Sequence, residues 1–218
     1  MYLSRVEIDV NNRQKTKDLT QLSAFHGWVE QSFPDEIKAG KRLRHLWRID
    51  QLAGKTYLLL LSENIPDKQQ LLRYGVADTF ITKSYDRMLN GIKQEQLMQF
   101  RLTANPTHTV SEPGKKQGRV FPHVTVEQQL KWLIGRSEKL GFQLVTKDNK
   151  LSFDIVGRDW PLLSHKGKRR VRLSRVTFEG ILRITDADKF KQALINGIGR
   201  EKAFGMGLMT VIPRTNND

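Results

Sequence analysis

Apolar side chains in the first ninety residues recur at every second position in some segments and at every third or fourth position in others. The first spacing is typical of strands that bury one face, and the second is typical of helices. Asp18 can cap the start of a helix that ends before Pro34. The predicted segments follow the order β-α-β-β-α-β, with bounds 1–10, 18–33, 41–51, 55–62, 67–74 and 77–83. This order is that of a ferredoxin-like or RRM-like unit.

The second half of the chain follows the same order without repeating the sequence. The predicted segments are a strand over 96–104, a long loop over 105–119, a helix over 124–140, a strand with a turn within 143–156, a long strand over 170–185, a helix over 186–195 and a closing strand over 208–213. We therefore predict an α+β protein made of two tandem ferredoxin-like (RRM-like) βαββαβ domains. Their predicted bounds are 1–90 and 95–213.

Basic residues outnumber acidic residues in this chain. Its 218 residues include 37 Lys plus Arg and 23 Asp plus Glu, so the formal net charge at pH 7 is +14. A charge excess of this size on a small chain favours a polyanionic partner, most often nucleic acid. An anionic membrane surface would attract the same charge, and a basic protein without such a partner is the remaining alternative.

Several kinds of site are excluded or disfavoured by what the sequence lacks. The chain has no cysteine, which removes disulfide scaffolds, Cys-ligated zinc, iron–sulfur clusters and thiol catalysis. No histidines have HxxxH spacing and no acidic cluster indicates a metal site, so we expect no metal and no cofactor. The longest strongly apolar run, 57–61, is far short of the ~20 residues of a membrane span. The N-terminus has no apolar run typical of a signal peptide, so we expect a cytoplasmic protein without a membrane partner.

A glycine-rich segment at 197–208 is a candidate for binding an RNA backbone. Its four glycines permit positive φ angles and a close approach of phosphate to backbone N–H groups. The segment lacks the Gly-Lys-Ser/Thr ending of a nucleotide-binding P-loop, and it follows a helix instead of a strand. We predict an RNA-binding loop, and the alternative is a tight structural turn. The predicted contacts are Gly199, Arg200, Lys202, Gly205 and Gly207.

A second basic segment lies within 164–175, where six Lys and Arg side chains accompany His165. At strand spacing Lys168, Arg170 and Arg172 point one way and Arg169 points the other. A basic strand end of this kind suits a duplex groove, where Arg reads guanine edges or bridges phosphates. We predict a hairpin that contacts RNA, and a solvated charged face is the alternative.

His26 is the candidate catalytic side chain. It falls in line with the apolar positions of the helix predicted over 18–33, so a half-buried packing histidine is the alternative. Ser23 lies three residues before it and Glu30 four residues after it, which places all three along one helical edge. Glu30 could raise the pKa of His26 above the usual value of about 6.5 by favouring the imidazolium. An imidazolium there could donate a proton to a leaving oxygen.

Five blocks of this sequence match one family in the same order along nearly the whole chain. They are the opening strand at 1–6, the helix at 18–34, the sequence FRLTANPT at 100–107, the sequence VTFEGIL at 176–182 and the glycine-rich segment at 197–208. Each block alone is modest, but the set in this order is specific. The chain resembles the CasE family, the CRISPR repeat-processing endoribonucleases of type I-E Cascade.

The resemblance implies a fold, an activity and a partner. CasE proteins have two ferredoxin-like domains and bind the hairpin of CRISPR repeat RNA. They cut at the 3′ base of the hairpin without metal, because the upstream 2′-OH attacks the scissile phosphate and leaves a 2′,3′-cyclic phosphate and a 5′-OH. The cut RNA stays bound, and the protein becomes a subunit of Cascade with the other Cascade subunits as partners. The family precedent indicates a monomer when the protein is alone.

The resemblance also assigns residues. His26 corresponds to the family's catalytic histidine, the general acid for the 5′ oxygen, and the basic hairpin at 164–175 corresponds roughly to an element that enters the major groove of the stem. Well-studied members have a tyrosine three residues before the histidine, where this chain has Ser23. Ser23 could orient the RNA or a water, and Tyr2 or a lysine could replace the tyrosine.

Two other classes of function stay open from the sequence. The departure at Ser23 fits a non-catalytic subunit that holds a hairpin RNA cut by another nuclease. The basic composition alone also fits a protein associated with ribosomes or tRNA, which would show no preference for a CRISPR repeat over a scrambled hairpin.

Overall fold

The N-terminal half of the chain forms one antiparallel sheet. The computed structural model describes residues 1–111, 113–114, 117–148, 150–163 and 171–214. The strands of this sheet are β1 (Tyr2–Glu7), β2 (Leu46–Leu52), β3 (Lys55–Ser62) and β4 (Ile81–Ser84). They pair in the order β2-β3-β1-β4, with β1 and β3 in the centre. This is the order of a ferredoxin-like unit, as predicted.

The helices of this half lie at α1 (Arg13–Thr16), α2 (Leu22–Gln31), α3 (Pro34–Lys38), α4 (Lys68–Leu72) and α5 (Asp86–Asn90). The predicted cap at Asp18 is wrong. Asn12 instead caps the separate helix α1, because its side chain accepts a hydrogen bond from the Lys15 N–H, and α2 begins only after Gln21. Helix α1 is polar, so its sequence lacks the apolar repeat from which a helix can be predicted.

The C-terminal half repeats this topology around a second sheet. Its strands are β5 (Leu97–Ala104), β6 (Thr107–Val110), β7 (Arg119–Pro122), β8 (Phe142–Leu144), β9 (Thr146–Lys147), β10 (Lys150–Leu151), β11 (Phe153–Asp159), β12 (Leu162–Leu163), β13 (Val171–Arg172), β14 (Arg175–Ile184) and β15 (Met209–Pro213). The main sheet has the order β11-β14-β5-β15, and β8 pairs with the end of β14. The prediction of two ferredoxin-like units is therefore confirmed.

Two longer helices cover the second sheet, α6 (Val126–Ser137) and α7 (Ala187–Asn196). Thr125 and Gln128 form a capping box at the start of α6, and Asp186 caps α7 by accepting a hydrogen bond from the Lys189 N–H. Short 3₁₀ turns follow at Glu138–Leu140 and at Lys202–Phe204. None of the helices in the described ranges is long and apolar enough to cross a membrane.

Two predictions for this half are wrong in detail. The predicted loop over 105–119 contains β6, which pairs with β7 as a hairpin of exposed strands that lack an alternating apolar pattern. The predicted long strand over 170–185 is broken at Leu173 and Ser174, which are both buried. The Leu173 N–H donates to the Pro161 carbonyl, so β13 pairs with β12 instead of continuing in the main sheet.

Each sheet has an apolar core, and each core takes side chains from the other half of the chain. Leu46 and Leu61 of the first sheet pack into the core of the second sheet. Leu163, Leu173 and Met206 of the C-terminal half pack into the core of the first. Because the halves share apolar side chains in this way, the division into separate domains stays a prediction.

Arg48 on β2 joins the two sheets through polar contacts. Its side chain is 3% exposed and its guanidinium donates two hydrogen bonds of 2.7 Å to the Asp50 carboxylate. It also donates to the carbonyls of Arg101 and Leu208, at 2.9 and 3.1 Å. These contacts tie β5 and the end of the glycine-rich segment to β2, and so fix that segment against the N-terminal half.

Candidate active site

A cleft of about 310 Å³ lies where α2 meets the glycine-rich segment. Side chains from three parts of the chain line it. They are His26 and Glu30 from α2, Arg42, Arg44 and His45 from the segment before β2, and Lys202 from the 3₁₀ turn after α7. The cleft therefore depends on the packing of both halves of the chain.

Buried aromatic contacts position α2. The ring of Trp28 is buried and stands edge-on to Tyr74, with 5.3 Å between ring centroids. The indole N–H of Trp28 donates to the Gln70 carbonyl at 3.0 Å. With Val29 buried beside it, this contact holds one face of α2 on the sheet and leaves the side chain of His26 33% exposed at the cleft.

His26 has an aromatic neighbour and a carboxylate neighbour. The Phe204 ring lies edge-on to it at 5.8 Å between centroids, and Glu30 Oε1 lies 4.0 Å from its Nδ1. Ser23 sits one helical turn before His26 on α2. Within the described ranges, the side chains that line the cleft do not include Ser23, so the assignment of Ser23 stays a prediction.

Glu30 is itself fixed by a second histidine. The Nδ1–H of His45 donates to Glu30 Oε1 at 2.9 Å. This hydrogen bond, supported by the charges of His45, His26 and Arg42, keeps the pKa of the Glu30 carboxyl below its ordinary value although burial opposes it. The sequence predicted His45 only as a core residue. Its burial is confirmed. Its contacts with the carboxylates of Glu30 and Glu36 could not be predicted from spacing, because these two residues lie on other elements.

Three cations line the cleft together with His26. Arg42 and Arg44 are exposed at the rim, and Lys202 is partly buried. Burial, and then the charge of Arg44, lowers the pKa of Lys202 from its ordinary value. The arrangement places a titratable imidazole among groups that can bind a phosphate and stabilise negative charge that develops on it. Arg42 and Arg44 were missed as site residues, although the basic run at 41–44 was a signal for them.

The glycines of the glycine-rich segment are explained first by packing. Gly205 has φ +77, and a Cβ there would lie 2.6 Å from the Trp47 ring. Gly207 has φ +95 and is buried, as Gly205 is. The Trp47 indole N–H donates to the Ala203 carbonyl at 3.2 Å, which anchors the turn that presents Lys202. Contact of these glycines with RNA stays a prediction.

The exposed cations predicted to contact RNA lie in two places. Arg200 is exposed beside Gly199, which is half-buried against Trp132. Arg172 is exposed on β13, whose ribbon with β12 packs on the N-terminal core through Leu163 and Leu173. Lys168, Arg169 and Arg170 lie outside the described residues, so their assignment stays a prediction.

The hairpin of β6 and β7 is a further exposed basic and aromatic element that the sequence did not reveal. The Arg119 guanidinium lies 5.4 Å from the centroid of the Phe121 ring. The His108 ring lies 4.8 Å from the His123 ring. Rings and guanidinium groups of this kind stack on nucleobases. In the described part of the chain, no group of three His, Asp or Glu side chains is arranged to hold a metal ion.

Comparisons with known proteins agree over the whole chain. A family model described as CRISPR associated protein matches residues 1–213. The CRISPR-associated endoribonuclease Cse3 of Thermus thermophilus is 25% identical over 219 residues, which cover 98% of this chain and 100% of that protein. The CRISPR system Cascade subunit CasE of Escherichia coli is 29% identical over 222 residues, with 98% and 100% covered.

A solved structure agrees with the sequence comparisons. CRISPR endoribonuclease Cse3 bound to 19 nt RNA has a TM-score of 0.82 and 25% identity to this chain, with 98% of this chain and 100% of that chain covered. The resemblance to CasE, first seen in five short blocks, is thus confirmed along the full length. With the match at residues 1–213, the chain belongs to the family of CRISPR-associated proteins.

Proposed function

We propose that this chain is a metal-independent endoribonuclease that cleaves precursor CRISPR RNA at the 3′ base of the repeat hairpin and then stays bound as a Cascade subunit. Its relatives are named an endoribonuclease and a Cascade subunit, and one was solved with RNA bound. The observation that carries the proposal is the partly exposed His26 beside Arg42, Arg44 and Lys202 in one cleft.

The proposed reaction uses the RNA's own nucleophile. The 2′-OH upstream of the scissile phosphate attacks phosphorus, forms the P–O2′ bond and loses its proton to solvent. The P–O5′ bond breaks as His26 gives its proton to the leaving 5′ oxygen. The products are a 2′,3′-cyclic phosphate and a 5′-OH, so protons and bonds balance without water entering. Cleavage then needs an in-line geometry more than it needs an added nucleophile.

The cations of the cleft have a separate part in this scheme. Negative charge on the non-bridging phosphate oxygens increases as the 2′ oxygen attacks. Lys202 and Arg44 lie at the cleft wall and rim where that phosphate would sit beside His26. Preorganised cations at such a position stabilise the transition state more than the ground state.

Binding of the hairpin would use exposed basic side chains of the C-terminal half. Arg172 and Arg200 are exposed in the described part of the chain, and Lys168, Arg169 and Arg170 are proposed from the sequence to extend this surface. Contacts of this kind are dominated by phosphate charge, so affinity falls as the salt concentration rises. The net charge of +14 supports the same proposal.

The test is a single-turnover cleavage assay with the host's repeat RNA, excess EDTA and protein at saturating concentration. Wild type is expected to cut once and leave a cyclic phosphate. His26→Ala is expected to bind the hairpin within a few-fold of wild type and not to cut it. Asp188→Ala removes a side chain that is 95% exposed and does not line the cleft, and this variant should cut normally. Cutting by His26→Ala at the wild-type rate would overturn the role of His26.

A second candidate function follows from one specific observation. Ser23 stands where the resemblance implies a tyrosine, and a serine hydroxyl lacks the reach and acidity of a phenol. A non-catalytic subunit that holds a hairpin would explain this departure. Tight and specific binding of repeat RNA with no cleavage by wild type would favour this second function over the first.

A further inference from the structure

A row of four side chains runs from the cleft into the interior of the N-terminal half. Glu30 Oε1 lies 4.0 Å from His26 Nδ1 and 2.9 Å from His45 Nδ1, so one carboxylate oxygen faces both imidazoles. On the inner side, His45 Nε2 lies 3.1 Å from Glu36 Oε2, at ion-pair distance but without the alignment of a hydrogen bond. The order is therefore His26, Glu30, His45, Glu36.

His45 is the fixed point of this row. Its side chain is 3% exposed, and its ring stacks on Phe33 with 3.8 Å between centroids and 7° between planes. Glu36 at its inner edge accepts a hydrogen bond of 2.8 Å from the Asn64 side-chain amide. The His45 ring is therefore fixed by Phe33 on its face and by Glu36 beside Nε2. Because the ring is fixed, its Nδ1–H determines where the Glu30 carboxylate lies.

The charges around His26 explain why the carboxylate matters. The groups that face it across the cleft are the cations Arg42, Arg44 and Lys202. Among the described residues that line the cleft, Glu30 is the one carboxylate. Three cations disfavour a protonated imidazole, and an ionised carboxylate at 4.0 Å favours it. The hydrogen bond from His45 lowers the pKa of Glu30, which keeps that carboxylate ionised at neutral pH.

We propose that His45 is a positioning residue, which holds the Glu30 carboxylate against His26 so that His26 stays protonated in a cleft otherwise lined by cations. The inference rests on the proposed function, because a protonated His26 matters only if it gives a proton to the leaving oxygen.

The test measures the protonation of His26 directly. An NMR titration of the full chain follows its imidazole signals with pH, and the His26 signal is identified by its loss in His26→Ala. Glu30→Gln removes the proposed charge. Glu36→Gln is the matched control, since Glu36 also contacts His45 but does not line the cleft. His45→Phe keeps the stacking on Phe33 and removes the donor, whereas His45→Asn keeps an amide donor near the Nδ1 position.

The expected result is a His26 midpoint lowered by about one pH unit in Glu30→Gln and unchanged in Glu36→Gln. His45→Phe is expected to lower it in the same direction, and His45→Asn to restore it. The falling limb of the cleavage rate with rising pH should move by the same amount in each variant. If His45→Phe does not fold, His45→Leu is the second variant that removes the donor, and it is expected to lower the His26 midpoint in the same way.

An unchanged His26 midpoint in Glu30→Gln, or in a folded variant that lacks the His45 donor, would overturn the inference. An equal shift in Glu36→Gln would also overturn it, because it would indicate a general structural effect. The proposed function fails in a different experiment, when His26→Ala cuts at the wild-type rate. Because the titration needs no cleavage, the two failures are distinguishable.

Discussion

Replacing Gly205 by alanine tests how the glycine-rich segment builds the cleft. A Cβ at this position would lie 2.6 Å from one carbon of the Trp47 ring and 2.9 Å from two others. Ordinary contacts between carbon atoms are about 3.5–4.0 Å. Trp47 is 1% exposed, so its ring has no space into which it can withdraw. The backbone of the segment must therefore move away from β2.

Two terms make up the expected loss of stability. An alanine held in the left-handed region costs about 1–2 kcal/mol, and overpacking of a buried contact costs about 1–3 kcal/mol. Together they predict a loss of about 2–5 kcal/mol for Gly205→Ala. Gly54 provides the matched control, because it has φ +74 against +77 for Gly205 and its Cβ would meet nothing within 4 Å. Gly54→Ala should lose only the about 1–2 kcal/mol that comes from placing alanine in the left-handed region.

The assays are urea unfolding and single-turnover cleavage of the repeat RNA. Since Trp47 donates a hydrogen bond to the Ala203 carbonyl, displacement of the segment also displaces Lys202 from the cleft. Gly205→Ala is therefore expected to cut more slowly than wild type, while Gly54→Ala cuts normally. Trp47→Leu combined with Gly205→Ala should lose less stability than the sum of the two single losses. Equal losses in Gly205→Ala and Gly54→Ala would refute the steric argument.

Three further predictions concern single side chains. Lys202→Ala is expected to slow cleavage by roughly a hundredfold while RNA affinity falls only modestly, and an unchanged rate at saturating protein would contradict this. Arg48→Met leaves Asp50, which is 22% exposed, with the longer ion pair to Arg101 at 3.4 Å. It should lose about 3 kcal/mol in urea unfolding, so a loss below about 1 kcal/mol would be inconsistent with a stabilising ion pair between Arg48 and Asp50. Because the folded pKa of Glu30 is lowered, its stabilisation is present above its unfolded pKa and disappears as pH falls through the folded pKa. The difference in unfolding free energy between wild type and Glu30→Gln should thus narrow below about pH 4, and a constant difference would argue against it.

The topology was predictable because most of its strands bury one face. The alternation in β1, β5 and β14 is strong, and the turn between β2 and β3 has Ala53 and Gly54 at φ 50 and 74, which suits a two-residue hairpin. The elements that were missed bury little. Helix α1 has no buried residue, and β6 and β7 are exposed along most of their length. Elements of this kind are fixed by caps and pairing, which leave no period in the sequence.

The site was only partly predictable for a different reason. Spacing along one helix relates Ser23, His26 and Glu30, because residues three and four apart share an edge. This spacing does not predict the positions of His45 and Lys202, which approach α2 through tertiary packing. His45 reaches Glu30 through packing within the N-terminal half, and Lys202 and Phe204 reach the cleft only because the two halves pack together.

The glycine-rich segment shows how one sequence feature serves structure and chemistry together. Gly205 is required because the backbone must approach the Trp47 ring, and that approach carries Lys202 to the wall of the cleft. A substitution of Gly205 that slows cleavage would therefore look like the loss of an RNA contact even if RNA does not touch this glycine.

The charges of the cleft add a second constraint. Each cation that helps to bind phosphate also makes protonation of His26 less favourable, so a carboxylate such as Glu30 must offset them. A chain with Ser23 in place of a phenol depends on this balance, because in the proposed reaction His26 alone supplies the proton to the leaving oxygen.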